Sequence, residues 1–524
     1  MPSSGSSGTG KPRYLTEIPW IGPLLVDAVD SQRNALVGIG AASNPSLGEA
    51  LAAILVPVDA NCTGSDPSGD PPWRVASLQS DGNGRFKIDA PAEFWKGKMA
   101  GLLMVLVYDH SGAAAARSFP DTWSPVSDLP PNVREEVQTR IHKLLEKGAK
   151  HLEPGLIEHK PPEPASDLTF ALASCQYPAG FVDREIAEAS YERLAAQKLN
   201  GLLLLGDQVY LDATAGLFDP TAQHDRFDLP YERLLRTQPL RKVLRRVPAY
   251  MMLDDHEIED NWEPVAGGNG TERNVVEGRR SYLGYQRIAG PQQLYPAGDS
   301  RDTLWYIFQL GDLPFFMADT RTERRPRKAE TIESACIMSE SQFETLLEWL
   351  ETQKRKNRDI PKFIASPASF LPRHRRATQH EQPASALRSD GWDGYPSTFY
   401  RLLTHIAAKD IRNVIFLSGD EHVSFAIKAD ITDKTSKKVT RIWSIHSSGL
   451  YSPFPFANAA KESLCWDEDF EFGDYRCKVV PLNVTPGDGF ALLRARGEDS
   501  GWSVRCCFDR APGAKAGGKW FDVV

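Results

Sequence analysis

Gly201-Leu202-Leu203-Leu204-Leu205-Gly206-Asp207-Gln208-Val209-Tyr210-Leu211-Asp212 is the stretch on which the fold turns. Its apolar run is short for a helix and lacks the alternation of a strand with one wet face, so it reads as a strand over 201–207 buried on both sides. The run ends in a glycine, which lets the backbone pass close to a ligand, and a carboxylate, Asp207; the Tyr210 phenol follows one short turn later. The same pattern recurs. Predicted strands over 168–175, 249–254, 315–319 and 414–420 end in Cys175, Asp254, Asp319 and Asp420, and His446 closes an apolar run over 440–446. Further strands are expected at 304–310, 363–366, 491–496 and 502–508, with helical periodicity at 186–198, 231–246, 339–354 and 397–408. Alternation of this kind predicts an α/β domain with a largely parallel sheet. Such strands present their C-terminal ends on one edge, where ligand crevices form. Carboxylates converging there repel one another unless cations neutralise them, so the pattern points to a metal cluster.

Two more motifs sharpen this reading. Met252-Leu253-Asp254-Asp255-His256-Glu257-Ile258-Glu259-Asp260-Asn261-Trp262 gathers carboxylates and an imidazole directly after an apolar strand, a density that packing alone seldom requires. Phe416-Leu417-Ser418-Gly419-Asp420-Glu421-His422 sets Asp and His two residues apart, so both face one site if the backbone is extended.

Outward from this core, residues 1–20 read as a flexible tail, and 21–125 as a small β-sandwich-like domain with apolar runs at 52–56 and 102–108 around the turn Asp81-Gly82-Asn83-Gly84. A linker with a helical segment is expected over 126–165, punctuated by Pro161-Pro162-Glu163-Pro164, and the α/β domain with its final strands over 166–524. The length of 524 residues exceeds what one core usually serves. A hydrophobic fraction of 41% and a charged fraction of 25% are ordinary for a globular chain. The net charge of -8 gives no electrostatic case for sequence-specific nucleic-acid binding or for an anionic membrane. Seven scattered cysteines have neither zinc-site spacing nor the look of a disulfide framework. No signal-peptide pattern or apolar span is present, so a cytoplasmic protein is expected, or a periplasmic or secreted one if a leader has been removed.

Taken together, Ala173-Ser174-Cys175-Gln176, the Gly206–Asp212 motif, Asp254-Asp255-His256-Glu257, Ala318-Asp319-Thr320-Arg321, Trp392-Asp393-Gly394-Tyr395 and Gly419-Asp420-Glu421-His422-Val423-Ser424 resemble the calcineurin-like metallophosphoesterases and, among them, the alkaline phosphatase D (PhoD-like) group. The resemblance implies a four-layer α/β/β/α metallophosphoesterase core preceded by a small β-sandwich-like domain. It implies that Asp207 bridges two metals and that Cys175 and Tyr210 are the additional ligands of this branch, with Asp254, Asp255, Asp420 and His422 completing the metal set. Two or more ions follow. Thiolate and phenolate ligands suit Fe3+ and oxygen ligands suit Ca2+, with Mn2+, Mg2+ or Zn2+ as alternatives. The implied reaction is in-line attack on phosphorus by a metal-bound hydroxide, with His256 assisting the leaving group, an effect of about 10²–10⁴-fold.

Arg321, and Arg373, Arg375 or Arg376 of the run Pro372-Arg373-His374-Arg375-Arg376, are candidates to bind phosphate oxygens bidentately, with that run as a substrate lid. Asp319 and Arg321 also suit an internal ion pair, His446 suits either a ligand or a group behind the ligands, and Trp392–Tyr395 reads as a turn and pocket wall. Loops at 213–230 and 263–279 are expected to govern access. Gly5–Lys11 is not a phosphate-binding loop, since Pro12 follows the lysine and no strand precedes it. The expected activity is hydrolysis of a small phosphomonoester or phosphodiester. Its rivals are a phosphotriesterase-like or narrow phosphodiesterase activity and, from another class, an inactive metal-binding protein whose β domain binds a partner or glycan. Composition and motifs leave the oligomeric state open.

Overall fold

The structure is a computed structural model that describes residues 16–17, 24–26, 35–39, 49–58, 73–78, 86–90, 100–109, 119–120, 123–146, 156–157, 166–177, 184–212, 227–244, 246–264, 273–286, 303–378, 383–452, 461–499, 501–510 and 518–524. Most of the expected tail, the turn at 81–84, and the access loops over 213–226 and 265–272 lie outside the described residues. The chain divides into two compact units, residues 1–160 with 244–246, and residues 161–243 with 247–524.

The N-terminal unit holds a six-stranded and a three-stranded sheet. In the long strand Glu49–Val58, Ile54 and Val56 are fully buried two residues apart, as a strand with one core face requires. The helix Pro131–Glu146 buries Val133, Val137 and Ile141, one stripe at a four-residue interval. The stretch expected as a linker thereby contributes structure: Leu156–Ile157 pairs with Gly101 and Leu102.

The C-terminal unit carries two sheets. In the first, β1 (Asp167–Gln176), β2 (Gly201–Leu205) and β3 (Ala249–Met252) are parallel. Ala491–Glu498, Gly501–Phe508 and Phe521–Asp522 extend the sheet antiparallel from β1. In the second, β4 (Tyr306–Leu310) and β5 (Leu313–Met317) form a hairpin. Alongside β5 run β6 (Lys362–Ala365) and β7 (Val414–Ser418), both parallel to it. The hairpin of β8 (Val423–Asp433) and β9 (Val439–His446) places β9 parallel to β7, and Tyr475–Pro486 pairs with β8.

Side-chain parity assigns each face of the second sheet. Phe315 and Phe363, register partners stacked at 4.8 Å, both meet Phe170 of β1 edge-on at 5.3 Å, so the two sheets face each other through these rings. The next residues along, Phe316, Ile364 and Phe416, point the other way into a core with Phe343, Leu346 and Leu350 of α3 (Glu340–Lys356) and with Phe399, Leu402 and Ile406 of α4 (Pro396–Ala408). On the first sheet, α1 (Arg184–Ala195) bonds Leu450 O through Ser190 Oγ at 2.7 Å, and α2 (Arg273–Tyr285) bonds Met251 O through Tyr282 Oη at 2.8 Å. The result is the four-layer α/β/β/α core.

Two expectations are corrected. The helix expected over 231–246 is two, Leu229–Leu235 and Gln238–Leu244, because Pro239 has no N–H to continue the ladder and fits only in a first turn. Strands β2, β3, β5 and β7 also end two residues before Asp207, Asp254, Asp319 and Asp420, so these side chains stand on loops leaving the sheets. Among the described residues no helix is long and apolar enough to cross a membrane.

Candidate metal centre

The chain leaves its strands here through left-handed backbone. Cys175, Asp207 and Asp420 have φ of 48°, 55° and 78°, and Gly206 has 95°. Such values cost a non-glycine residue about 1–3 kcal/mol and gather at functional sites. Gly206 admits no side chain, since a Cβ there would lie 2.5 Å from the Asp254 Cβ. Main-chain bonds from Cys175 N to Gly206 O at 3.2 Å and from Gln176 N to Asp207 O at 2.8 Å lock the first two exits together.

Four carboxylates meet at these exits. Asp207, Asp254, Asp255 and Asp420 each offer an oxygen within 4.8 Å of the others, and Asp207 and Asp255 form a second such group with His256. Asp207 Oδ1, Asp254 Oδ2 and Asp255 Oδ1 are buried without a hydrogen-bond partner. Burial, reinforced by the neighbouring carboxylates, pushes Asp207 and Asp420 well above the usual range; Asp254 rises to about 6, with Arg321 opposing. Orphaned oxygens and mutually repelling charges are what bound cations relieve, so this donor set fits a metal cluster.

Cys175 Sγ is 3.4 Å from Asp207 Oδ2 and 3.6 Å from Asp420 O. Burial and the Asp207 and Asp420 charges hold it as a thiol, which must lose its proton to become a ligand. Tyr210 is buried at the same place, its ring 4.0 Å from that of His256 and 5.0 Å from that of Tyr177. His422 is partly buried and acts electrostatically on Asp488 and Glu421; neither it nor Cys175 belongs to the two groups of converging donors.

His256 has a partner that the sequence reading did not assign. Its Nδ1 is 2.9 and 3.0 Å from the two carboxylate oxygens of Asp212, which is itself fixed by the Asp260 N–H. A carboxylate only accepts, so Nδ1 carries the proton, while Nε2 lies 3.9 Å from Asp260 Oδ1. Burial pulls the imidazole down, but the Asp212 bond and the Asp255 and Asp212 charges prevail and raise it to about 9. Asp212 lies inside the motif quoted for Asp207; its position five residues on was the available signal.

The arginines are where expectation and structure part. Arg321 is fully buried: Nε donates to Asp254 Oδ1 at 2.7 Å, Nη1 to Trp262 O and Asp390 Oδ1 at 3.2 Å, and Nη2 to Asp390 Oδ2 at 2.7 Å. Its guanidinium is spent on holding Asp254 rather than on phosphate. Asp319 Oδ1 accepts from the Arg321 and Thr322 N–H groups and so shapes that loop.

Arg373 pairs with Glu468 at 2.5 Å and lies over the Phe470 ring, while Arg375 bonds Glu462 O. His374 sits between Asp393 at 3.3 Å and Glu421 at 2.5 Å. The expected lid is therefore a buttress under the Asp420 loop; Arg376 stands exposed on the short helix Arg375–Thr378. His446 is not free to ligate, with Nδ1 2.8 Å from Ser418 Oγ and Nε2 2.8 Å from Glu421 O. Asp390, held far below the usual carboxylate range by Arg321 and Arg324 against the effect of burial, carried no local signal in the sequence.

The family model for PhoD-like phosphatase matches residues 170–477. Alkaline phosphatase D of Bacillus subtilis (strain 168) is 26% identical over 297 residues, 52% of this chain and 49% of that protein, so the match spans about half the relative's length. A solved structure described as "Structure of PhoD" shares the fold, with a TM-score of 0.57 at 15% identity over 97% of this chain and 93% of that one. The matched segment takes in more than half of the chain and runs from β1 through the Asp420 loop, and on it the chain belongs to the PhoD-like phosphatase family.

Proposed function

We propose that the protein hydrolyses small phosphate esters, monoesters or diesters, with metal ions held by Asp207, Asp254, Asp255 and Asp420 and with Cys175, Tyr210 and His422 as further ligands. The observation that carries the reading is the set of buried carboxylate oxygens without hydrogen-bond partners beside an Asp212-anchored histidine. When bound, metal ions supply an activated water and positive charge against the phosphoryl oxygens. The chain's own residues do the rest. Asp212 fixes the imidazole plane and keeps the Nδ1 proton in place, leaving His256 Nε2 to hold a proton and deliver it to the departing oxygen. Asp207 and Asp420, fixed in left-handed backbone, hold their carboxylates in place before any substrate arrives. Arg321 and Arg373 are engaged internally, so neither guanidinium is free for phosphoryl oxygens, and bound cations would have to supply that charge.

Membership of a phosphatase family supports the reaction class, and the intact His256–Asp212 pair disfavours a metal-binding protein without turnover. The test is hydrolysis of an aryl phosphate monoester and its matching diester over Fe3+, Ca2+, Mn2+, Mg2+ and Zn2+, with and without chelator. Metal-dependent turnover is expected, and the ratio of the two rates reports which ester the site prefers. Turnover that survives complete removal of metal would sink the metal-dependent reading.

A further inference from the structure

We propose that Glu257 is a positioning residue whose carboxylate clamps the two main-chain loops that carry Asp207 and Asp254, and so sets the spacing of the metal-binding carboxylates. The inference rests on reading the cluster as a metal centre. Glu257 is fully buried, and its oxygens accept three main-chain bonds: Asp207 N at 2.9 Å and Asp254 N at 2.9 Å on Oε2, and Gln208 N at 2.8 Å on Oε1. Those donors belong to the exits of two neighbouring strands, β2 and β3, and one of them is the amide of a residue in left-handed backbone.

A further carboxylate in an already anionic cluster is costly by charge alone, and the hydrogen-bond inventory explains its use. A carboxylate accepts on both oxygens and donates nothing, whereas a glutamine would turn an NH2 against one of the three N–H groups. The main chain of Glu257 is itself braced: Gly278 of α2 approaches so closely that a Cβ there would lie 2.3 Å from Glu257 O.

The test uses the full chain, stripped of metal, as wild type, Glu257→Ala, Glu257→Gln and Lys362→Met. The last removes a buried charge that also makes three main-chain bonds, to Arg358 O, Ile360 O and Arg412 O, at the opposite end of the strands. Two readouts are taken: calorimetric titration with Mn2+, and hydrogen exchange of peptides covering 205–210 and 252–257. Glu257→Ala is expected to weaken Mn2+ binding by about 10- to 100-fold, the usual effect of losing a group behind the ligands, and to speed exchange in both peptides. Glu257→Gln keeps one oxygen for the Asp207 and Asp254 amides and recovers most of the affinity; Lys362→Met binds as wild type.

Unchanged exchange in Glu257→Ala overturns the clamp. So does a Glu257→Gln defect as large as that of Glu257→Ala, which would mean that the oxygen kept for the Asp207 and Asp254 amides holds nothing, or an equal defect in Lys362→Met, which would make the cause loss of stability. Should Glu257→Ala not fold, Glu257→Asp, too short to reach both loops, carries the same expectation. A wild-type protein that takes up no Mn2+ overturns the metal-centre reading, while the exchange data still decide the clamp separately.

Discussion

The two ends of the parallel strands in the C-terminal unit handle buried polar groups in opposite ways. At the amino ends Lys362 is fully buried yet donates to three carbonyls, Asn200 Oδ1 accepts from Thr169 N at 2.8 Å, and Asn413 bonds Asp359 O. Left-handed backbone occurs there at Asp410 and Asn413, residue types that tolerate it, with Asp410 ending α4. At the carboxyl ends it occurs at Asp207 and Asp420, of the same tolerant type, and also at Cys175, which does not tolerate it cheaply, and three buried carboxylate oxygens have no hydrogen-bond partner. One end is at rest, and the other holds mutually repelling carboxylates. Strain and repulsion are concentrated where chemistry is expected, on a scaffold whose other end is satisfied.

The sharpest way to test this division is at His256. His256→Ala is expected to lower kcat by about 10²–10⁴-fold with metal content and melting temperature close to wild type, and Asp212→Asn to lower it by less. A kcat unchanged in His256→Ala would remove the proposed proton donor. Arg321 tests the other side of the comparison. If it held phosphate, its loss would raise KM in a stable protein. The geometry predicts instead that Arg321→Met costs about 3–5 kcal/mol in chemical unfolding, because Asp254 is left as a buried charge without its cation and Asp390 keeps only Arg324. Lys362→Met, at the quiet end, is expected to cost about 1–3 kcal/mol and to leave kcat as it was. A change in kcat there would show that the ends are not separable.

What the sequence made legible follows from periodicity and strand ends. The runs ending at Asp207, Asp254 and Asp420 marked parallel strands and their common edge, because continuous apolar stretches have few other uses. The groups that went unread act across the chain. Arg321 and Asp390 are 69 residues apart and meet only in the fold, so nothing local separated a structural arginine from a phosphate-binding one. His374 was legible as part of a basic run but not as the neighbour of Glu421, 47 residues on. The strand pair of β8 and Tyr475–Pro486 was unread because its exposed half is polar, as the alternation Asp430, Thr432 and Lys478 against Ile431, Cys477 and Val479 shows.

The smallest expected effect is the most direct measure of the frustration itself. Burial raises Asp254 to about 6 and Glu257 to about 7, and Asp207 and Asp420 well above the usual range. A carboxyl whose folded pKa lies above its unfolded value of about 4 makes the folded chain bind more protons than the unfolded chain through the interval between them. Stability is then greatest at low pH in that interval and is lost as pH rises through about 6 to 7 and beyond. Metal-free protein should therefore melt at a higher temperature at pH 6 than at pH 8, and Mn2+ added at pH 8 should restore the difference by binding the folded state alone. Asp207→Asn removes one charge and keeps a side chain that tolerates left-handed backbone. It should make the metal-free protein more stable at pH 8 by about 1 kcal/mol, the worth of roughly one pKa unit, and flatten the pH slope while abolishing the response to Mn2+. A variant less stable than wild type under those conditions would mean that Asp207 is held by contacts that outweigh the repulsion, and the two ends of the strands would then differ in shape but not in energy.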